Sequence, residues 1–369
     1  MMRPRAVLAG LNIPLPAGEG GARAERGRVR DYAAWFPKPS PGRALRRVST
    51  SPAGRGVCAA IAVAIILTPA PALTNDLDGA RPGRLVRLPD GRRINLRCAG
   101  PAIGPTVIFE GGFAATSTAW ARVQPVIARR HFTCSYDRAG YGWSDPGPFP
   151  RDGEAVALDL DRALRAASIR GPFVMVGHSA GGLYVRLFAD LRPHEVVGMV
   201  LVDPSVEHQD RRFAEAFGRG AGSLAPLIAR AKACGAAAGR RALPSLDLAL
   251  IRCGPAPGAS PEARRNALSA ADWATQVSEL ETLWGATSDE VAAGGPSMGD
   301  MPLVVLTAAG NGAGGGAVLW ARLHSELAAR STRGSSQMVA NSSHMMMFDR
   351  PDAIIAAIDE VIAAVGKPR

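Results

Sequence analysis

The chain has 369 residues, enough for one large domain with an insertion or for two domains. Apolar residues make up 47% and charged residues 20%, the balance of an ordinary globular protein with a sizeable core. The net charge of +11 sits mostly in residues 1–72, which hold eleven Lys and Arg against three acidic residues; downstream no basic stripe is interleaved with aromatics, so a nucleic-acid partner is excluded as the expectation.

Residues 1–72 read as an N-terminal extension carrying a targeting segment. GVCAAIAVAIIL (56–67) is an uncharged apolar run of 12 residues. Arg46, Arg47 and Arg55 precede it and Ala70-Pro71-Ala72 follows, the arrangement of a signal peptide. The run is short for a membrane span of about 20 residues. A disordered tail before a docked helix is the other reading. The expectation is an exported protein, periplasmic or secreted, with membrane anchoring through this segment left open. Export would permit disulfides. Beyond Cys58 there are Cys98, Cys134, Cys234 and Cys253, and the sequence alone does not choose among their three pairings.

RLVRL (84–88) and RRINLRC (92–98) flank the turn signal Pro89-Asp90-Gly91 and predict a hairpin. TVIFEGG (106–112) predicts the third strand, AWARVQPVIARR (119–130) a helix, and HFTCSYD (131–137) the fourth strand. EAVALDLDRALRAASI (154–169) has apolar residues at helical spacing. PFVMVG (172–177) is a buried strand, followed by a helix from Ala180, and VVGMVLVD (196–203) is another. About 95 residues without strand pattern come next; they are Ala-rich and predict helices such as DWATQVSELETLW (272–284). PLVVLTAA (302–309), the helix 317–331, SQMVANSS (336–343) and the helix 351–365 complete the series. The fold class is therefore α/β: an eight-stranded, mostly parallel sheet with helices on both faces. The long helical segment after strand six is either a second domain or a cap over the sheet edge.

Gly177-His178-Ser179-Ala180-Gly181 fits G-x-S-x-G between a buried strand and a helix. A sharp strand-to-helix turn lifts the Ser179 hydroxyl clear of the sheet, and the flanking glycines relieve the crowding. The Ala180 amide then points outward at a helix start, where it can stabilise a developing oxyanion. A plain tight turn is the bland alternative. A base must come later in the chain, and His344 in NSSHMMMF follows strand eight at the same edge as Ser179. No Asp or Glu occurs in residues 302–325, so the acid is read as Asp203, at the carboxyl end of strand six in LVDPS, with Glu207 and Asp210 as rivals. The loop FEGGF (109–113) offers the Phe113 amide as second oxyanion donor, although Gly111 and Gly112 would also suit a simple turn. Gly112 and His178 are candidates for contact with substrate. Met345, Met346 and Met347 suggest an adaptable apolar wall or plain core filling.

Several motifs in this order resemble the α/β-hydrolase fold family: GGF (111–113), YDRAGYGWSDPG (136–147), GHSAG (177–181), LVDP (201–204) and SSHMMMFDRPD (342–352). The resemblance covers roughly residues 84–365, to the branch of small esterases and lipases with a helical cap. It implies a core of residues 73–204 and 301–369, a cap of residues 205–300, Ser179 as nucleophile, His344 as base, Asp203 as acid, and Phe113 and Ala180 as amide donors. Two departures stand out. Gly111-Gly112 replaces the common His-Gly, and the common acid position after strand seven is empty. The family's strand order also implies a Cys98–Cys134 disulfide, with Cys234–Cys253 stapling the cap; buried thiols are the alternative.

The resulting expectation is a serine hydrolase acting on a carboxylic ester or related acyl bond of a small molecule, with no cofactor and no metal. A peptidase, a thioesterase and a carbon–carbon bond hydrolase of the same fold stay open. So does a catalytically silent protein that binds a ligand or partner.

Overall fold

A computed structural model describes residues 79–366 except 246, 248–249, 251–252, 256–260 and 311–313. Its eight strands are β1 (Arg84–Arg87), β2 (Arg93–Ala99), β3 (Thr106–Glu110), β4 (Thr133–Tyr136), β5 (Phe173–His178), β6 (Val196–Val202), β7 (Leu303–Ala308) and β8 (Gly334–Val339). They form one sheet in the order β1-β2-β4-β3-β5-β6-β7-β8. The β1–β2 and β2–β4 pairs are antiparallel and every other pair is parallel. Each parallel neighbour requires a crossover, and helices supply most of them.

Those helices are α1 (Gln124–Ile127), α2 (Gly153–Ala166), α3 (Gly181–Leu191), α4 (Gln209–Phe217), α5 (Ala225–Gly239), α6 (Pro261–Ala267), α7 (Ala270–Leu283), α8 (Ala286–Ala293), α9 (Gly315–Ala328), α10 (Met346–Asp349) and α11 (Pro351–Ala364). Helix starts follow local chemistry. The Asp152 side chain accepts the Ala155 amide at 3.0 Å ahead of α2, and Ser269 accepts the Asp272 amide at 3.2 Å ahead of α7. Pro351 opens α11, where its missing amide costs nothing.

Strand alternation sends side chains to two cores. Ile108, Met175 and Val305 pack with α2, α3 and α9 on one face. Val107, Phe109, Val174, Val176, Val304 and Leu306 pack with Trp120 and with Ile354, Ile358 and Val361 of α11 on the other. Met346 and Met347 are fully buried in this second core, so they fill space there, while Met345 is exposed. The expected helix over 119–130 is shorter: a 3₁₀ turn at Ser117–Trp120 and then α1, opened by Pro125.

Helices α4 to α8 form the insertion between β6 and β7, with a small core of their own that includes Ala231, Cys234, Ala238, Cys253, Trp273 and Leu280. Cys234 is bonded to Cys253 within it. Cys98 and Cys134 are register partners across β2 and β4 and are also disulfide-bonded.

The reading of membrane anchoring that the sequence left open is corrected. No helix among the described residues is long and apolar enough to cross a membrane. The apolar run at 56–67 on which that expectation rested lies, with all of residues 1–72, outside the described residues.

The cap's small core makes its cross-link a large share of its stability. A disulfide closing a separation of 19 residues contributes roughly 3 kcal/mol. Replacing Cys234 and Cys253 together by Ser is expected to lower the stability of α5 and α7 by about that amount, read from urea titrations and from hydrogen exchange in those helices. Equal exchange in the variant and the parent would show that the cross-link adds nothing.

Candidate active site

Strand β5 ends at His178 and the chain turns at Ser179 into α3. Ser179 has a φ of 53°, a left-handed conformation uncommon for a residue with a side chain. Close backbone approach explains the glycines beside it. A Cβ on Gly177 would stand 2.6 Å from the Gly181 carbonyl oxygen, and one on Gly181 would stand 2.6 Å from that of Gly111. No side chain fits at either place. The Ser179 amide donates to the Val202 carbonyl at 3.1 Å, and its carbonyl accepts from Gly182 and Ser205, both at 2.9 Å. The turn is thereby tied to the end of β6.

His344 lies in the loop between β8 and α10. Its Nε2 is 3.0 Å from Ser179 Oγ and its Nδ1 is 2.6 Å from Asp203 Oδ2. Asp203, at the end of β6, is fully buried. Its Oδ1 accepts the Ala308 amide and the Trp320 indole N–H, both at 2.9 Å. With a carboxylate against Nδ1, that nitrogen carries the ring proton, and Nε2 turns its lone pair toward the serine hydroxyl. The His344 side chain is 41% exposed.

His178 occupies the space behind His344, with ring centroids 4.7 Å apart. Its Nε2 donates to the His344 carbonyl oxygen at 2.8 Å. Burial, and secondarily the neighbouring His344 ring, lower its pKa to about 3. The buried Nδ1 has no hydrogen-bond partner among the described residues. It faces Gly112, where a Cβ would come within 2.7 Å of Nδ1 and 3.0 Å of Ser179 Cβ. His178 thus holds the loop of His344 more than it lines open space. Among the described residues, neither the Phe113 nor the Ala180 amide donates to a protein acceptor.

The structure thus gathers all seven sequence candidates around Ser179. Of the rival acids, Glu207 is engaged by Arg186 at 2.6 Å and by Arg330, and Asp210 lies in the first turn of α4. His324 is buried between Thr307 and Pro204, 2.8 Å from each. Sequence reasoning missed Trp320, for which no motif exists, and Arg138, whose position in DRAGYG was available as a signal. Arg138 is buried and bonded to the carbonyl oxygens of both Gly111 and Gly112 at 2.8 Å. Among the described residues no group of three or more His, Cys, Asp or Glu could hold a metal.

Comparison with known proteins agrees with this architecture. A family model described as alpha/beta hydrolase fold matches residues 105–238. The uncharacterized protein YqjL of Bacillus subtilis is 33% identical over 103 residues, 28% of this chain and 41% of that protein. An AB hydrolase superfamily protein of Gibberella zeae is 35% identical over 112 residues, 29% of this chain and 35% of that one. These matches span less than half of either relative. The solved structure of ALR0039 from Nostoc sp PCC 7120 superimposes with a TM-score of 0.59 over 76% of this chain and 97% of that chain, at 20% identity, a likeness of fold. Residues 105–238 match the alpha/beta hydrolase fold family model, and the sheet around them has that fold.

The neutral, buried His178 carries a pH signature. Its folded pKa of about 3 lies below the ordinary 6.5, so the unfolded chain binds the proton more readily. Its contribution to stability is intact above pH 6.5 and is lost progressively as pH falls toward 3. His178→Gln is expected to flatten that part of the stability profile in denaturant titrations between pH 4 and 7. An unchanged profile would mean that the ring does not stay neutral in the folded state.

Proposed function

We propose that the protein is a serine hydrolase that cleaves a carboxylic ester through an acyl-enzyme on Ser179. The observation that carries this reading is the continuous hydrogen-bonded line from Ser179 Oγ through His344 to Asp203. Ser179 Oγ attacks the acyl carbon as its proton passes to His344 Nε2. Asp203 keeps the proton on Nδ1 and stabilises the imidazolium that forms. The oxyanion is received by the Phe113 and Ala180 amides, whose lack of protein acceptors suits a charge that appears only during reaction. His344 then protonates the departing alcohol, and a water molecule activated by the same nitrogen releases the acid. Gly112 lets the acyl group approach, and His178 holds the His344 loop.

In this reading residues 73–204 and 301–369 do the chemistry, and the helices within 205–300 shape the entrance. Phe213 of α4 packs against Trp320 with ring centroids 6.1 Å apart. Phe113 packs against both the sheet core and the insertion's core. Such a border favours an apolar acyl or alkoxy group. The position after β7, where the acid is common in the family, is served instead by Asp203, whose carboxylate reaches the β7 end through the Ala308 amide.

The first test is labelling by a fluorophosphonate, read by intact mass. One adduct on the parent protein and none on Ser179→Ala is expected; no adduct on the folded parent would overturn the reading. Asp203→Asn should then lower kcat on p-nitrophenyl esters by about 10³–10⁴-fold, because an amide N–H at that place favours the wrong His344 tautomer. Hydrolysis unaffected by that substitution would remove Asp203 from the mechanism.

A further inference from the structure

Arg138, at the start of the loop after β4, is 2% exposed, and all five of its N–H donors are used. Nη1 bonds Glu110 Oε1 at 2.7 Å and the Gly111 carbonyl oxygen at 2.8 Å. Nη2 bonds the Gly112 carbonyl oxygen at 2.8 Å and Glu279 Oε2 at 3.1 Å. Nε bonds Glu279 Oε1 at 2.8 Å. Glu279 belongs to α7 of the insertion, is 1% exposed, and also accepts the Tyr141 hydroxyl at 3.0 Å. Glu110 accepts the Tyr136 hydroxyl. The guanidinium lies between the Tyr141 and Tyr184 rings, 4.9 and 5.3 Å from their centroids.

Two of these bonds determine where an amide points. In a trans peptide the C=O and N–H vectors are opposed. The Gly112–Phe113 bond is not among the cis bonds of the described residues. Drawing the Gly112 oxygen toward the guanidinium therefore turns the Phe113 N–H the other way. Gly112 itself abuts Ser179, as the 3.0 Å approach to Cβ records. The Ala115 amide shares the Gly112 oxygen at 3.2 Å, a longer bond between neutral groups and the weaker of the two.

We propose that Arg138 is a positioning residue for the oxyanion donor at Phe113, and that Glu279 of the cap holds Arg138 in place, so that the seated cap and the formed donor are one state. The inference rests on the ester-hydrolase reading for its kinetic consequence. A second contact ties the same two parts together. The Phe113 side chain packs against the cap core as well as the sheet core. If α7 lifts away, Arg138 loses the partner of its Nε and one partner of Nη2, inside a site where an unpaired charge is costly. The guanidinium then has reason to leave the two carbonyls, and the Phe113 amide loses its aim.

The test compares the parent, Glu279→Gln, Arg138→Lys and Ser179→Ala, each as the full chain. With p-nitrophenyl butyrate, Glu279→Gln is expected to lower kcat about tenfold to a hundredfold with KM within about threefold, since a complete oxyanion donor is worth about 10²–10³. Inhibition by a trifluoromethyl ketone, whose adduct places an oxyanion on the same amides, should weaken by the same factor. Arg138→Lys, which keeps the charge but cannot span the five acceptor oxygens, should lower the rate as Glu279→Gln does. Hydrogen exchange at 111–115 should rise in Glu279→Gln while that of β5 and β6 stays as in the parent. A kcat loss with ketone affinity intact, or unchanged exchange at 111–115, would overturn the proposal. If the parent turns over no faster than Ser179→Ala, the ester reading fails, and the exchange comparison alone decides whether Glu279 holds the loop.

Discussion

A carboxylate without access to water must be satisfied by the protein, and the site depends on how Asp203 is satisfied. It sits at the end of β6, accepts the Ala308 amide from the end of β7 and the Trp320 indole from α9, and faces His344 from beyond β8. Groups from three separate chain segments must arrive together for the charge to stay buried. A buried carboxylate lacking one of these donors would be costly. The requirement fixes the ring orientation of His344, whose Nδ1 meets Oδ2. On the proposed mechanism it also explains why the acid stands on strand six. The β7 end supplies a backbone donor, so no acid is needed there.

Sheet topology delivers these pieces to one edge. Parallel strands β3, β5, β6, β7 and β8 all end on the same side, where Gly111–Phe113, Ser179 and Asp203 directly follow their strands, Ala308 closes β7, and His344 stands in the loop after β8. The turn at Ser179 takes advantage of that convergence through close contact. Gly181 lies so near the Gly111 carbonyl that the loop after β3 and the start of α3 pack backbone to backbone. The Phe113 and Ala180 amides, which meet no protein acceptor among the described residues, belong to those two segments. Their relation is set by the absence of a Cβ, which is why glycine recurs at 111, 112, 177 and 181.

Much of this was legible in the sequence, for identifiable reasons. Buried strands announce themselves as short apolar runs, so β5, β6 and β7 were placed to within a residue or two. Ser179 was legible from G-x-S-x-G after β5 and Asp203 from its place at the end of β6, while His344 was legible from its place in the loop after strand eight. The short α1 was overestimated because the apolar pattern around it continues through a 3₁₀ turn and a Pro that break the helix. Trp320 and Glu279 were not legible as site residues, and Arg138 was signalled by its place in DRAGYG alone. Arg138 and Glu279 are 141 positions apart, and nothing in either local pattern says that the two will share a buried pocket. The same limit applies to Met346 and Met347, whose neighbour His344 faces the site while they face the core.

The buried ionic cluster clarifies what the insertion contributes. One guanidinium lies between two buried carboxyl groups, and burial pushes the Glu110 carboxyl up, against the pull of Arg138. An apolar contact of the same size would join cap and sheet at less electrostatic cost. Apolar packing is nondirectional, however, and would leave the Gly111 and Gly112 carbonyls without a donor of fixed geometry. A planar guanidinium has its donors in a rigid fork, so it can hold two successive carbonyls and a carboxylate at once. The choice of Arg at 138 therefore follows from a need for direction. The insertion is attached to the sheet at the place where a backbone amide has to be aimed.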